Sequence, residues 1–103
     1  MWVEVDGRFA IGEGGLDLLA AIAAGQSLTK AARHVGWSYR HAWGYLRHAE
    51  EVLGITLTET LAGKGELRGM SLTSEGQALL ATLTTTRDAV RRTGDAVLWL
   101  SKV

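Results

Sequence analysis

Three glycines, Gly25, Gly36 and Gly54, cut the stretch from Leu16 to Leu53 into three lengths whose apolar residues recur at helical spacing. This punctuation constrains the fold more than any other feature. Helices this short are marginal alone, and each must bury its inner stripe against its neighbours. Leu16, Leu19, Ala20, Ile22 and Ala23 predict a first helix over residues 15–24, with Gly25 suited to its C-terminal end. Ser27 offers a hydroxyl to an orphan amide of a second helix, whose inner face is Leu28, Ala31, Ala32 and Val35 and which Gly36 ends. Ser38 is the next such cap, and behind it Ala42, Leu46, Ala49 and Leu53 follow at spacings of 4, 3 and 4. Short helices separated by a glycine-containing turn and followed by a longer one make a helix-turn-helix pattern.

The flanks suggest a winged form of it. Trp2-Val3-Glu4-Val5-Asp6 alternates apolar and polar residues, Gly7 allows a bend, and Arg8-Phe9-Ala10-Ile11 follows, so a short N-terminal strand or hairpin is expected. Ile55 to Leu61 alternates as a strand with which Ser71-Leu72-Thr73 can pair, and the loop between them, Ala62 to Met70, holds three glycines with Lys64 and Arg68. That loop is the candidate wing. From Thr73 or Ser74 as cap, with Glu75 favouring the dipole of the first turn, a helix is expected to run almost to the C-terminus. Along it Leu79, Leu83, Thr86, Val90, Thr93, Val97 and Leu100 are spaced 4, 3, 4, 3, 4 and 3, a coiled-coil period interrupted by two Thr and weakened by Gly94. Packing back onto the same chain is the alternative for this stripe. Trp99 and Leu100, far from a small core, favour a partner helix, so Leu79, Leu83, Val90, Val97 and Leu100 form the expected dimer interface. The fold class is then mainly α with a small β-wing: a winged helix-turn-helix domain over residues 1–73 and a long C-terminal dimerisation helix over 74–103.

Composition narrows the functions. With 103 residues one core is the default, and the absence of Cys removes disulfides, thiolate metal sites and thiol catalysis. No apolar run approaches a membrane span of about 20 residues, and the N-terminus lacks a signal peptide's basic start and apolar stretch; no membrane role and a cytoplasmic location are expected. His34, His41 and His48 are seven residues apart. Within one helix that is about 10 Å, too far for one metal ion. Gly63-Lys64-Gly65 lacks the Ser or Thr and the earlier Gly of a phosphate loop, and no nucleophile elbow occurs. Neither an enzyme nor a cofactor or metal site is expected. The net charge of +0 speaks against nucleic acid, but no acid lies between Asp17 and Glu50, where Lys30, Arg33, Arg40, Arg47 and all three histidines fall.

Leu18-Leu19-Ala20-Ala21-Ile22, Gly25-Gln26-Ser27-Leu28, Ala31-Ala32-Arg33 and Gly36-Trp37-Ser38-Tyr39-Arg40-His41-Ala42-Trp43 together resemble the N-terminal domain of the molybdate-responsive regulators, the ModE family, itself similar to the DNA-binding half of LysR-type regulators. The stretch from Ser38 to Trp43 is the most specific part. Leu53-Gly54, the glycine-rich wing and Leu72-Thr73 with Gly76 also fit, and the likeness covers residues 12–82. It implies a transcription regulator that binds double-stranded DNA. Full-length members carry C-terminal oxyanion-binding domains; this chain ends at Val103 without the length for one, so no molybdate site is expected on it.

In such a domain the helix from Ser38 lies in the major groove. Its outer face presents Arg40, Gly44 and Arg47, flanked by His41 and Trp43. Arg40 is the first choice to read a base, since a guanidinium can bond guanine O6 and N7 together, with a plain phosphate contact as its alternative, and Gly44 permits close approach. Lys30, Arg33 and Arg47 suit phosphates, as do Ser27, Ser38 and Tyr39, while Lys64 and Arg68 on the wing would reach the neighbouring minor groove. A homodimer would place two reading helices about one DNA turn apart and call for an inverted-repeat site. The competing reading is a winged-helix module that binds protein rather than DNA, which the neutral net charge favours.

Overall fold

The structure is a computed structural model that describes residues 2–60, 69–93 and 97–100, with residues 93 and 97–100 described by their backbone. In chain order the elements are β1 (Trp2–Val5), β2 (Arg8–Gly12), α1 (Glu13–Ala23), α2 (Leu28–Val35), α3 (Tyr39–Leu53), β3 (Thr58–Thr60), β4 (Met70–Leu72), α4 (Ser74–Thr93) and β5 (Val97–Leu100). The chain is mostly helical with a two-stranded β3–β4 wing, the expected winged helix-turn-helix fold.

The first three helices meet around Leu16, Leu19, Ile22, Leu28, Ala31, Ala42 and Leu46, all of which are buried. Ser27 and Ser38 cap α2 and α3, their hydroxyls accepting from Lys30 N at 3.2 Å and His41 N at 3.1 Å. Gly36 and Gly54 close the same helices at φ of 80° and 73°, a left-handed conformation that a side chain would disfavour. On α3 the fourth inward residue is Val52, at 1% exposure, rather than Leu53, which is half-buried. Val52 meets Val5 and Ala10 of the N-terminal hairpin, against which Leu53 also packs, so the hairpin shifts the burial to one side of the helical stripe.

α1 begins at Glu13, two residues before the expected start, and so takes in Gly14 and Gly15. Here the two glycines serve packing instead of breaking the helix. A Cβ on Gly14 would lie 2.7 Å from the Trp37 ring and one on Gly15 2.3 Å from the Tyr45 ring.

The first wing strand is shorter than the alternation suggests, while the second keeps its length. Next to Thr58 one cross-strand bond remains, Thr73 N donating to Leu57 O at 3.0 Å, but Leu57 N is drawn away to Glu50 Oε2 at 2.7 Å. Thr73 also caps α4, its hydroxyl accepting from Gly76 N at 3.0 Å and donating to Thr56 O.

The C-terminal expectation needs correction. α4 ends at Thr93, and the chain returns as β5, which runs parallel to β1 with Trp2 opposite Val97 and Val5 opposite Leu100. Val97 and Leu100 therefore lie on a strand, the outer member of a β2-β1-β5 sheet, and not on a helical seam. Leu83 is 1% exposed within the chain's own core, where Leu79 packs against the same cluster. Arg87 reaches Asp17 and Arg91 reaches Glu13 across α4 and α1, each at 3.4 Å. Leu79 and Leu83, the first two positions of the 3.5-residue stripe, are thus covered from inside the chain.

Candidate nucleic-acid interface

Gly36, in the left-handed conformation, and the Ser38 cap form the turn between α2 and α3, and the outer faces of the two helices carry the acid-free stretch. On α2, Lys30 and Arg33 are exposed one turn apart. On α3, a helical period places Arg40, Gly44 and Arg47 on the side opposite buried Ala42, Leu46 and Ala49, with exposed Trp43 at the flank of that side. Lys30, Arg33 and Arg40 have no acidic partner among the described residues, a condition shared with Arg92 of α4, whereas Arg8, Arg87 and Arg91 are paired. Ser27 and Ser38 use their hydroxyls as caps; Tyr39 is half-buried and packs against the core.

Arg47 is held in place. Its guanidinium lies 3.0 Å from Glu50 Oε1 and stacks over the Trp43 ring at 5.4 Å. The other Glu50 oxygen accepts the Leu57 amide at 2.7 Å and that of Thr58 at 3.4 Å, so one carboxylate joins α3 to the first wing strand. Sequence reasoning misses this role. By sequence Glu50 is only the acid that closes the basic stretch, and nothing local reveals that its second oxygen meets a backbone seven residues on.

His41 departs from the outer strip. It packs edge-on to Trp37, with ring centroids 4.6 Å apart, and lies 6.3 Å from Tyr45, although it remains exposed. His48 is turned further aside and donates from its imidazole to Phe9 O at 3.1 Å. Beneath them the Tyr45 hydroxyl accepts from Gly12 N at 2.7 Å, tying β2 to α3. Burial raises that hydroxyl's pKa, against the lowering effect of the Gly12 and Gly15 backbone hydrogen bonds.

At the N-terminus of α2, Gly25, Gln26, Ser27 and Lys30 line a groove whose far wall is Gly69, at the base of the wing. Lys64 and Arg68, the expected wing contacts, lie outside the described residues. The structure thus brings Lys30, Arg33, Arg40, Gly44 and Arg47 onto adjoining outer faces, with Trp43 at their flank and the wing base beside them, and sets His41 against Trp37.

Residues 15–77 match the family described as bacterial regulatory helix-turn-helix protein, lysR family. No curated protein matches the chain in sequence. Among solved structures it is similar to a point mutant of S. aureus MepR, with a TM-score of 0.64 and 18% identity over 81% of this chain. That match spans 63% of the MepR chain.

Proposed function

The chain belongs to the lysR family of bacterial regulatory helix-turn-helix proteins, and on that premise we propose that it binds DNA sequence-specifically as a homodimer on an inverted repeat. The observation that carries the DNA contact is the set of exposed cations Lys30, Arg33 and Arg40 on the outer faces of α2 and α3, none of which has an acidic partner among the described residues. In this reading α3 enters the major groove, Arg40 reads a base edge, and Lys30, Arg33 and Arg47 take phosphates. Ser27, Ser38 and Tyr39 lie beside them for backbone contacts, and Lys64 and Arg68 extend the footprint from the wing. Within the family, the Ser38 to Trp43 stretch favours kinship with the molybdate-responsive regulators. Molybdate binding is not part of the proposal, and a cytoplasmic place follows from the DNA role.

Two half-sites make the homodimer attractive, because a single small domain neutralises few phosphates. On α4, Leu79 and Val90 keep partial exposure and suit a partner, whereas Leu83 does not.

The test is a titration of the protein against its own upstream DNA at two salt concentrations, with Arg40→Ala beside it. Selective, salt-weakened binding is expected, with discrimination at one base pair reduced by about 1–3 kcal/mol in Arg40→Ala. Absence of binding to any duplex would instead support a protein-binding module, the reading that the net charge of +0 favours.

A further inference from the structure

We propose that Trp43 is a specificity-determining residue that reads the C5-methyl group of a pyrimidine in the major groove. The inference rests on the DNA-binding reading of α3 and adds to it the chemistry of one contact.

Trp43 is 48% exposed, against 44% for Phe9 and 38% for Trp2, the other exposed large apolar side chains among the described residues. A single exposed aromatic is ordinary on a protein surface. This one differs in its setting. Phe9 and Trp2 sit on the N-terminal hairpin, where Phe9 meets Tyr45 edge-on and the Trp2 indole donates to Glu4. Trp43 flanks the outer face of α3 that carries Arg40 and Arg47, with the Arg47 guanidinium over its ring and Gly44 the next residue along. A Cβ at Gly44 would meet nothing within 4 Å, so nothing in the fold itself requires glycine there, and a bare backbone lets a surface come close to the helix at that point.

The indole is also held. The Arg47 guanidinium lies over it at 5.4 Å, Glu50 holds Arg47 at 3.0 Å, and the Leu57 amide holds Glu50 at 2.7 Å. A ring fixed in this way loses little conformational freedom on binding. What it would meet is limited. Base edges in the major groove present donors and acceptors, and the pyrimidine C5-methyl is their apolar group. An indole face laid on polar edges strips their water without replacing it, while one laid on a methyl removes apolar surface from both partners. Thymine and 5-methylcytosine both carry that methyl.

The experiment uses duplexes recovered by selection from a randomised pool. Each thymine is replaced in turn by deoxyuridine, and each cytosine in turn by 5-methylcytosine. Affinities are measured for the wild-type chain, Trp43→Phe and Trp43→Ala, with helicity checked by circular dichroism. The wild type should bind about fourfold more weakly when the methyl at one position per half-site is removed, the ratio expected for one methyl leaving contact. Trp43→Phe should keep most of that sensitivity and Trp43→Ala should lose it. A thymine reader weakens on deoxyuridine; a reader of the modified base tightens on 5-methylcytosine. Wild-type affinity indifferent to every substitution, or equal methyl sensitivity in Trp43→Ala, would overturn the inference while leaving DNA binding intact. Failure to bind any duplex would remove the DNA reading and this contact with it.

Discussion

A tyrosine hydroxyl and a glycine hydrogen decide how closely the elements of this domain approach. Tyr45 accepts from Gly12 N at 2.7 Å, and its ring fills the space in front of Gly15. Tyr45→Phe leaves that partly buried amide without its partner and should lower unfolding stability by about 1–3 kcal/mol. Burial raises the hydroxyl's pKa above its ordinary value of 10.0. The folded state therefore keeps the proton to higher pH than the unfolded chain. Its contribution is complete below about pH 10 and is lost as pH rises through the folded value. Denaturant melts on the alkaline side should show a steeper decline for wild type than for Tyr45→Phe; parallel declines would refute the assignment. At Gly76 a Cβ would stand 2.2 Å from Leu57 O, a backbone atom that cannot swing away. Gly76→Ala should cost about 1–3 kcal/mol by prising the start of α4 from the wing strand, and an unchanged denaturant midpoint would count against this. The sequence marks Gly76 as part of a familiar pattern, but only the packing gives the reason for it.

Among the elements, α2 and α3 were the most legible. Their caps, inner stripes and terminal glycines are local signals within a few residues of the backbone they act on, and they outweigh any distant influence. Ser27→Ala and Ser38→Ala should each destabilise by roughly 1 kcal/mol, read as a shift in thermal midpoint. Each hydroxyl accepts the cap bond, at 3.2 Å or 3.1 Å, and keeps its own proton to donate, so either change also removes a phosphate donor from the proposed DNA face. An unchanged thermal midpoint would count against the capping role. The hairpin of β1 and β2 was legible for the same local reason, with Asp6 and Gly7 both at positive φ in its turn. The end of α4 was not. Its heptad spacing is compatible with helix up to Leu100, yet Val97–Leu100 pairs with β1, at the other end of the chain.

At the scale of the whole molecule, a net charge of +0 conceals a separation of signs. Arg87 and Arg91 are matched by acids between α4 and α1, while Lys30, Arg33 and Arg40, on the outer faces of α2 and α3, have no acidic partner among the described residues. Lys30→Ala and Arg33→Ala should each reduce the slope of log affinity against log salt by roughly 0.9, without changing which sequence is preferred. A changed preference would make either residue a base reader. Sedimentation should give twice the 11.1 kDa chain mass for the proposed homodimer, and a single-chain mass on a half-site would exclude it. By itself the sequence determined the three-helix order, both serine caps, the hairpin, the wing and the acid-free faces, since each depends on contacts between near neighbours or on a simple period. Only the tertiary structure decided that Gly14 and Gly15 belong inside α1, that Glu50 ties Arg47 to the wing, and that the last strand closes on the first. Those outcomes depend on which distant surfaces meet, and a period along the chain carries no information about what lies across it.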